Sequence, residues 1–159
     1  MTLRDLRGRA PDVSAILPEL LVGEYPRVAD VEWLRASHAV TAVLSLQHDS
    51  DLWDKGVDLT LLEDAYRRAA IEFRRIPVED YNEPELEAAL ELGATTLAEL
   101  LGAGHTVLVH CNAGYNRAPT LAIAYLCARR GMTLDAATKL VKANRACLPY
   151  LSVLRRRFA

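Results

Sequence analysis

TVLVHCNAGYNRAPT, residues 106–120, decides how this chain is read. Its first five residues, Thr106 to His110, are mostly β-branched or aliphatic, the composition of a buried strand. A loop containing Gly114 follows. From about Pro119 to Arg130 the sequence reads as an apolar helix, stopped by Gly131. Strand, short loop and helix in that order form the unit from which parallel sheets are built. Ligands in such sheets bind beyond the carboxyl ends of the strands, so the segment after His110 is the first place to seek a site.

Working outward from this unit finds more of the same alternation. Residues 40–46 (VTAVLSL) read as a buried strand, 71–78 (IEFRRIPV) alternate like a strand, and 16–22 form an early strand. Helices are expected over 29–37 and 59–70. A long one, opened by the cap Asn82 and by Pro84, runs to about Leu101, and one capped by Thr133 runs to about Ala146. The expected fold is α/β, a three-layer sandwich with a central, mostly parallel sheet flanked by helices. At 159 residues, 51% hydrophobic and 25% charged, the chain suits one globular core. Residues 16–159 are expected to form that single domain, behind an N-terminal extension of residues 1–15.

The bulk properties narrow the function classes. A formal net charge of −2 argues against a general polyanion binder, so no nucleic-acid partner is expected. Three cysteines, an odd number, do not read as a disulfide framework and suit a reducing compartment. The first residues lack the apolar run of a signal peptide, and no stretch approaches the roughly 20 apolar residues that span a bilayer. A cytoplasmic protein with no membrane partner is the expectation. His38, His48 and His105 have no companions at metal-ligand spacing, so neither a metal nor a cofactor is expected.

The loop itself carries the chemistry. Cys111 stands at the strand's end and Arg117 six residues later, where a helix starts. Amides of the loop and of the first helical turn can converge on one point and form an anion-binding nest. Gly114 permits the tight backbone this needs. Arg117 offers a planar fork that engages two oxygens of a phosphate. The same positive field favours a thiolate, the form in which cysteine attacks. Alone, Cys111 would read as a buried core thiol. Flanked by this loop and Arg117, it reads as a nucleophile toward a phosphate ester.

At these residues the chain resembles the cysteine-dependent phosphatases, whose signature is HCxxGxxR, and within them the compact dual-specificity class. The likeness runs from about Leu17 to Leu154. It implies that Cys111 is the nucleophile, Arg117 the phosphate clamp and His110 a support for the loop. Asn112, Ala113, Gly114, Tyr115 and Asn116 would then build the phosphate loop and its rim. It also implies a general-acid aspartate upstream, for which Asp80 is the candidate, with Glu79 and Glu83 as rivals. Such an acid protonates the leaving oxygen and later deprotonates water. The implied substrates are proteins carrying phosphotyrosine, with phosphoserine and phosphothreonine admitted if the pocket is shallow.

Three stretches resemble the plant phosphoglucan phosphatases more closely: residues 44–56 (LSLQHDSDLWDKG), Arg117-Ala118-Pro119, and residues 145–149 (RACLP). That likeness makes a phosphorylated glucan the alternative substrate and Tyr81 an aromatic platform beside the acid. Most dual-specificity enzymes carry serine or threonine where Ala118 stands, a hydroxyl that helps the thiolate leave the phosphoenzyme. Its loss keeps a non-catalytic binder of phosphorylated targets in view. A rhodanese-like sulfur transferase is a third reading, disfavoured by Asp80. Cys127 and Cys147 read as packing residues, and Arg155 to Arg157 as a solvated helix end.

Overall fold

The computed structural model describes residues 8–159. Its strands are β1 (Val13–Leu17), β2 (Leu20–Gly23), β3 (Ala42–Ser45), β4 (Glu72–Arg75) and β5 (Val107–His110), and they form one sheet in the order β1-β2-β5-β3-β4. β2, β5, β3 and β4 are parallel, and β1 alone is antiparallel, to β2. The helices are α1 (Val31–His38), α2 (Asp49–Lys55), α3 (Leu59–Arg68), α4 (Glu83–Gly102), α5 (Arg117–Arg129), α6 (Leu134–Asn144) and α7 (Leu151–Phe158), with a 3-10 turn at Val28–Asp30.

Successive residues of a strand point to opposite faces, and both faces here are covered. Leu21, Val43 and Leu108 pack against Val31, Leu34, Leu62 and Tyr66 of α1 and α3. The alternate residues, Val22, Leu44 and Val109 among them, pack against Leu97, Leu121, Val141 and Val153 of the other helices. This is the expected three-layer α/β sandwich, and it explains why the central strands read as continuous aliphatic runs. α4 and α5 lie so close that a Cβ on Gly93 would run into Leu121. The outer strand β4 carries Glu72, Arg74 and Arg75, charges that discourage further strands from pairing. Among the described residues no helix is long and apolar enough to cross a membrane.

The sheet differs from the expectation at its other edge. Residues 16–22 are not one strand but the turn of a hairpin, with Pro18 and Glu19 between β1 and β2. Pro18 has no amide to offer a ladder, so the chain turns there. β1 starts at Val13, within the stretch expected to precede the domain. Residues 1–7 of that stretch lie outside the described residues. β4 is also shorter than the 71–78 expected. Residues 76–82 leave the sheet and carry Asp80 toward the end of β5.

Candidate active site

β5 ends at His110, and α5 starts at Arg117. The six residues between them turn back over the sheet's carboxyl edge. Gly114 makes the turn possible. It sits at φ 65°, and a Cβ there would lie 2.5 Å from the Gly23 backbone and 2.7 Å from Nη2 of Arg145. Only glycine fits, by both torsion and space.

The loop's carbonyls are held from outside. His110 Nδ1 lies 3.0 Å from the carbonyl oxygen of Cys111. The Tyr25 amide donates to the Asn112 carbonyl at 3.0 Å, and the Leu148 amide to that of Tyr115 at 2.9 Å. Arg145, only 6% exposed, donates from Nη2 to the Ala113 carbonyl at 2.9 Å and from Nε to the Gly114 carbonyl at 2.7 Å. Its Nη1 reaches Ser14 Oγ at 3.1 Å and so ties the loop to β1. The Asn116 carbonyl accepts from Thr120 Oγ1 at 2.7 Å. With the carbonyls so engaged, the amides are the groups left over, and no acceptor among the described residues takes those of residues 113–116. A concavity lined by main-chain donors favours an anion.

Arg117 is 1% exposed, and a buried guanidinium needs partners. Its Nη1 donates to Asp51 Oδ2 at 2.6 Å and to the Val78 carbonyl at 2.7 Å. Its Nε has no hydrogen-bond partner among the described residues and stands 3.5 Å from Asp80 Oδ1. Burial alone would lower the pKa of Arg117, but the Asp51 hydrogen bond and the charges of Cys111, Asp51 and Asp80 raise it above the usual value. The cation is therefore permanent.

Asp51 was not among the candidates read from the sequence, yet it joins the parts of the site. Its second oxygen accepts from Asn112 Nδ2 at 2.8 Å, and Gln47 Nε2 donates to Asn112 Oδ1 at 2.9 Å. It also caps α2, accepting the His48 amide at 2.8 Å. Burial disfavours its charge, but the hydrogen bonds from Arg117, the His48 amide and Asn112 outweigh burial and hold its carboxyl below the usual range. From β4, Arg75 secures the same helix start through the Gln47 carbonyl at 3.2 Å and Asp49 at 2.7 Å.

These elements enclose a hollow of about 210 Å³ lined by Asp80, Tyr81, Cys111, Asn112, Ala113, Tyr115, Asn116 and Arg117. Gly114 lies behind it, as the hinge of the loop. Glu79 is exposed and Glu83 is tied to Ser152 at 2.5 Å, so of the three acids considered only Asp80 reaches the hollow. The acid turn is braced by Glu85, whose Oε1 accepts the Glu79 amide at 2.9 Å. Tyr81 has φ 63°, a left-handed backbone unusual for a bulky residue, and its ring is 82% exposed.

A model of the dual specificity phosphatase catalytic domain matches residues 21–152. The chain belongs to this family. Among the relatives of this dual specificity phosphatase domain, the phosphoglucan phosphatase DSP4, amyloplastic, of Castanea sativa is 32% identical over 143 residues, covering 88% of this chain and 38% of that protein. The dual specificity protein phosphatase 2 of Homo sapiens is 30% identical over 133 residues, covering 84% of this chain and 38% of that protein. The domain thus spans well under half the length of these relatives. The crystal structure of human DUSP28 superposes with a TM-score of 0.70 at 24% identity, covering 93% of this chain and 95% of that one. It shares the fold.

The other cysteines of the domain lie away from the hollow. Burial pushes the thiols of Cys127 and Cys147 up, the latter in spite of the nearby Arg145 and Lys142. Trp53 is 77% exposed on α2 and does not line the hollow. Of Arg155 to Arg157, Arg156 pairs with Glu87 at 3.2 Å and Arg157 with Glu91 at 3.8 Å, both on α4. The cluster is tied to a neighbouring helix rather than simply solvated.

Proposed function

We propose that this chain hydrolyses phosphomonoesters through a cysteinyl-phosphate intermediate. The observation that carries the reading is the meeting of Cys111, Arg117 and Asp80 in one small hollow beneath a loop whose carbonyls are fastened outward. In the first step the Cys111 thiolate attacks phosphorus, the bond from phosphorus to the ester oxygen breaks, and Asp80 gives its proton to that oxygen. Loop amides and Arg117 stabilise the charge on the three remaining oxygens. In the second step water attacks the phosphocysteine, Asp80 takes its proton, and the thiolate and inorganic phosphate leave. We assign the protein to a reducing compartment such as the cytoplasm, in which a nucleophilic thiol persists.

The substrates we assign are phosphoproteins. A hollow of about 210 Å³ has room for a phosphoryl group and part of the side chain that bears it, so it suits phosphotyrosine together with phosphoserine and phosphothreonine. Tyr81 and Tyr115 favour a second reading. Both rings line the hollow, 82% and 42% exposed, and a sugar ring stacks on such platforms; the likeness to the chestnut enzyme points the same way.

Hydrolysis of p-nitrophenyl phosphate without added metal tests the mechanism. Wild type turns over, Cys111→Ser does not, and Asp80→Ala loses about 10²- to 10⁴-fold. Turnover by the Cys111→Ser variant at the wild-type rate overturns the reading. Competition between phosphopeptides and phosphorylated amylopectin then assigns the substrate.

A further inference from the structure

Tyr150, like Arg117, carries a polar atom near the site that no hydrogen bond engages among the described residues. Its phenol oxygen is buried without a hydrogen-bond partner among the described residues. An unpartnered buried hydroxyl costs stability and calls for an explanation. The rest of the residue is held firmly. Its amide donates to Thr120 Oγ1 at 2.8 Å, and that hydroxyl in turn grips the Asn116 carbonyl of the phosphate loop at 2.7 Å. Two residues earlier, the Leu148 carbonyl accepts Asn116 Nδ2 at 2.7 Å, and the Leu148 amide holds the Tyr115 carbonyl at 2.9 Å. Two residues later, Ser152 Oγ donates to Glu83 Oε1 at 2.5 Å, on the helix that the acid turn enters. Residues 148–152 therefore strap the phosphate loop to the acid turn, with Tyr150 at the middle of the strap.

Charged groups of the site lie near the phenol. Asp80 and Arg117 lie within electrostatic reach of it, and the Tyr81 amide, which donates to Asp80 Oδ1 at 3.1 Å, approaches it as well. Burial, and next the Asp80 charge, push the phenol above its ordinary value in spite of Arg117. The hydroxyl thus keeps its proton across the neutral range and acts as a donor.

Resting on the phosphatase reading above, we propose that Tyr150 is a positioning residue for the general acid, its phenol donating to the Asp80 carboxylate and aiming the other carboxyl oxygen at the leaving group. The phenol proton stays on Tyr150 throughout. Asp80 alone transfers a proton, to the leaving oxygen, and the hydrogen bond strengthens as its carboxylate becomes charged. A positioned donor that meets the acid only as charge develops lowers the barrier without tightening substrate binding.

Leaving-group dependence tests this in Tyr150→Phe, which removes one oxygen atom. The readout is kcat/KM for p-nitrophenyl phosphate, whose leaving group depends less on protonation, and for phenyl phosphate, whose leaving group depends on it more. Tyr150→Phe is expected to lose about tenfold on phenyl phosphate, the order of one hydrogen bond, and less than about threefold on p-nitrophenyl phosphate. Inhibition by inorganic phosphate stays unchanged, and Asp80→Asn with Tyr150→Phe matches Asp80→Asn alone. Equal losses on both esters, a parallel loss of phosphate affinity, or full additivity with Asp80→Asn would each overturn the proposal, because the phenol would then act on the loop or on folding. Failure of the underlying mechanism looks different: Asp80→Asn itself would show no leaving-group dependence.

Discussion

Asp51 grips both the clamp and the loop of the site, taking Arg117 Nη1 on one oxygen at 2.6 Å and Asn112 Nδ2 on the other at 2.8 Å. Its position fixes where the guanidinium points relative to the loop amides. Asp51→Asn keeps the shape but discards the charge, and its amide must present a donor to one of two groups that are themselves donors. A misplacement of about 1 Å at a reacting centre costs on the order of 10²-fold, so kcat/KM for p-nitrophenyl phosphate is expected to fall about 10- to 100-fold. Inhibition by inorganic phosphate should weaken alongside it. A variant with wild-type kinetics would show that Arg117 is held well enough by the Val78 carbonyl alone.

The same pair makes stability depend on pH. The folded-state pKa of Asp51 lies below its ordinary value, because its hydrogen bonds outweigh its burial. Such a group contributes stability above the ordinary carboxylate pKa of about 3.9, and the contribution is lost as pH falls below that toward the folded value. Acid unfolding of wild type is expected to steepen as pH falls below about 4, and Asp51→Asn should be flatter there. Asp51→Ala strands a buried arginine and is expected to cost about 3–5 kcal/mol at neutral pH in urea unfolding.

Arg145 is a strut whose guanidinium spans two adjacent carbonyls of the loop, Ala113 and Gly114, while reaching Ser14 with its third nitrogen. Lysine carries the charge but has no fork with which to hold both carbonyls. Arg145→Lys should therefore fold but bind oxyanions about tenfold more weakly, having lost one or two charged hydrogen bonds from behind the nest. Titration with tungstate or phosphate, followed by protection of Cys111 from alkylation, measures this directly. The half-buried Cys127 and the buried Cys147 serve as internal references, since their raised pKa values slow alkylation while the fold persists. Gly114→Ala makes the contrasting case, since both φ and the Gly23 backbone oppose it, and soluble protein lacking phosphate affinity is the expected result.

The parts of the site that lie within one short stretch were legible in the sequence, and the parts that meet only in space were not. Strand, loop and helix around Cys111 announce themselves by local pattern, because glycine, cysteine and arginine must fall at set offsets for the loop to close. Asp80 was found because the resemblance implies an upstream acid and this aspartate sits in the break between a strand and a capped helix. Asp51 and Arg145 fall in the stretches 44–56 and 145–149 that carry the phosphoglucan likeness, but nothing local marked them as site residues. They meet Arg117 and the loop carbonyls across long stretches of chain, and each looked locally like an ordinary charged residue. α2 was missed because its seven residues, DSDLWDK, hold too few apolar positions to show a period. The hairpin at Pro18 was read as one strand because aliphatic residues flank it on both sides, Ile16 and Leu17 before and Leu20 to Val22 after. α7 was anticipated only as the helix end around Arg155 to Arg157.

On the proposed mechanism, Ala118 bears on the second half of the reaction. It is fully buried at the start of α5. The next hydroxyl along, that of Thr120, is committed on both sides, donating to the Asn116 carbonyl at 2.7 Å and accepting the Tyr150 amide at 2.8 Å. No hydroxyl at these two positions is thus left to steady the departing thiolate when water attacks the phosphocysteine. Breakdown of that intermediate should limit turnover, so rapid mixing with p-nitrophenyl phosphate is expected to show a burst of p-nitrophenol followed by a slower steady state. Ala118→Ser should raise kcat about three- to tenfold and shrink the burst, an effect the size of one hydrogen bond to a developing anion. kcat/KM should stay constant, because it reports events only up to cleavage of the ester. If the serine variant raised kcat/KM in the same proportion as kcat, its hydroxyl would be acting on the attack rather than on the release, and Ala118 would have no special bearing on the second step.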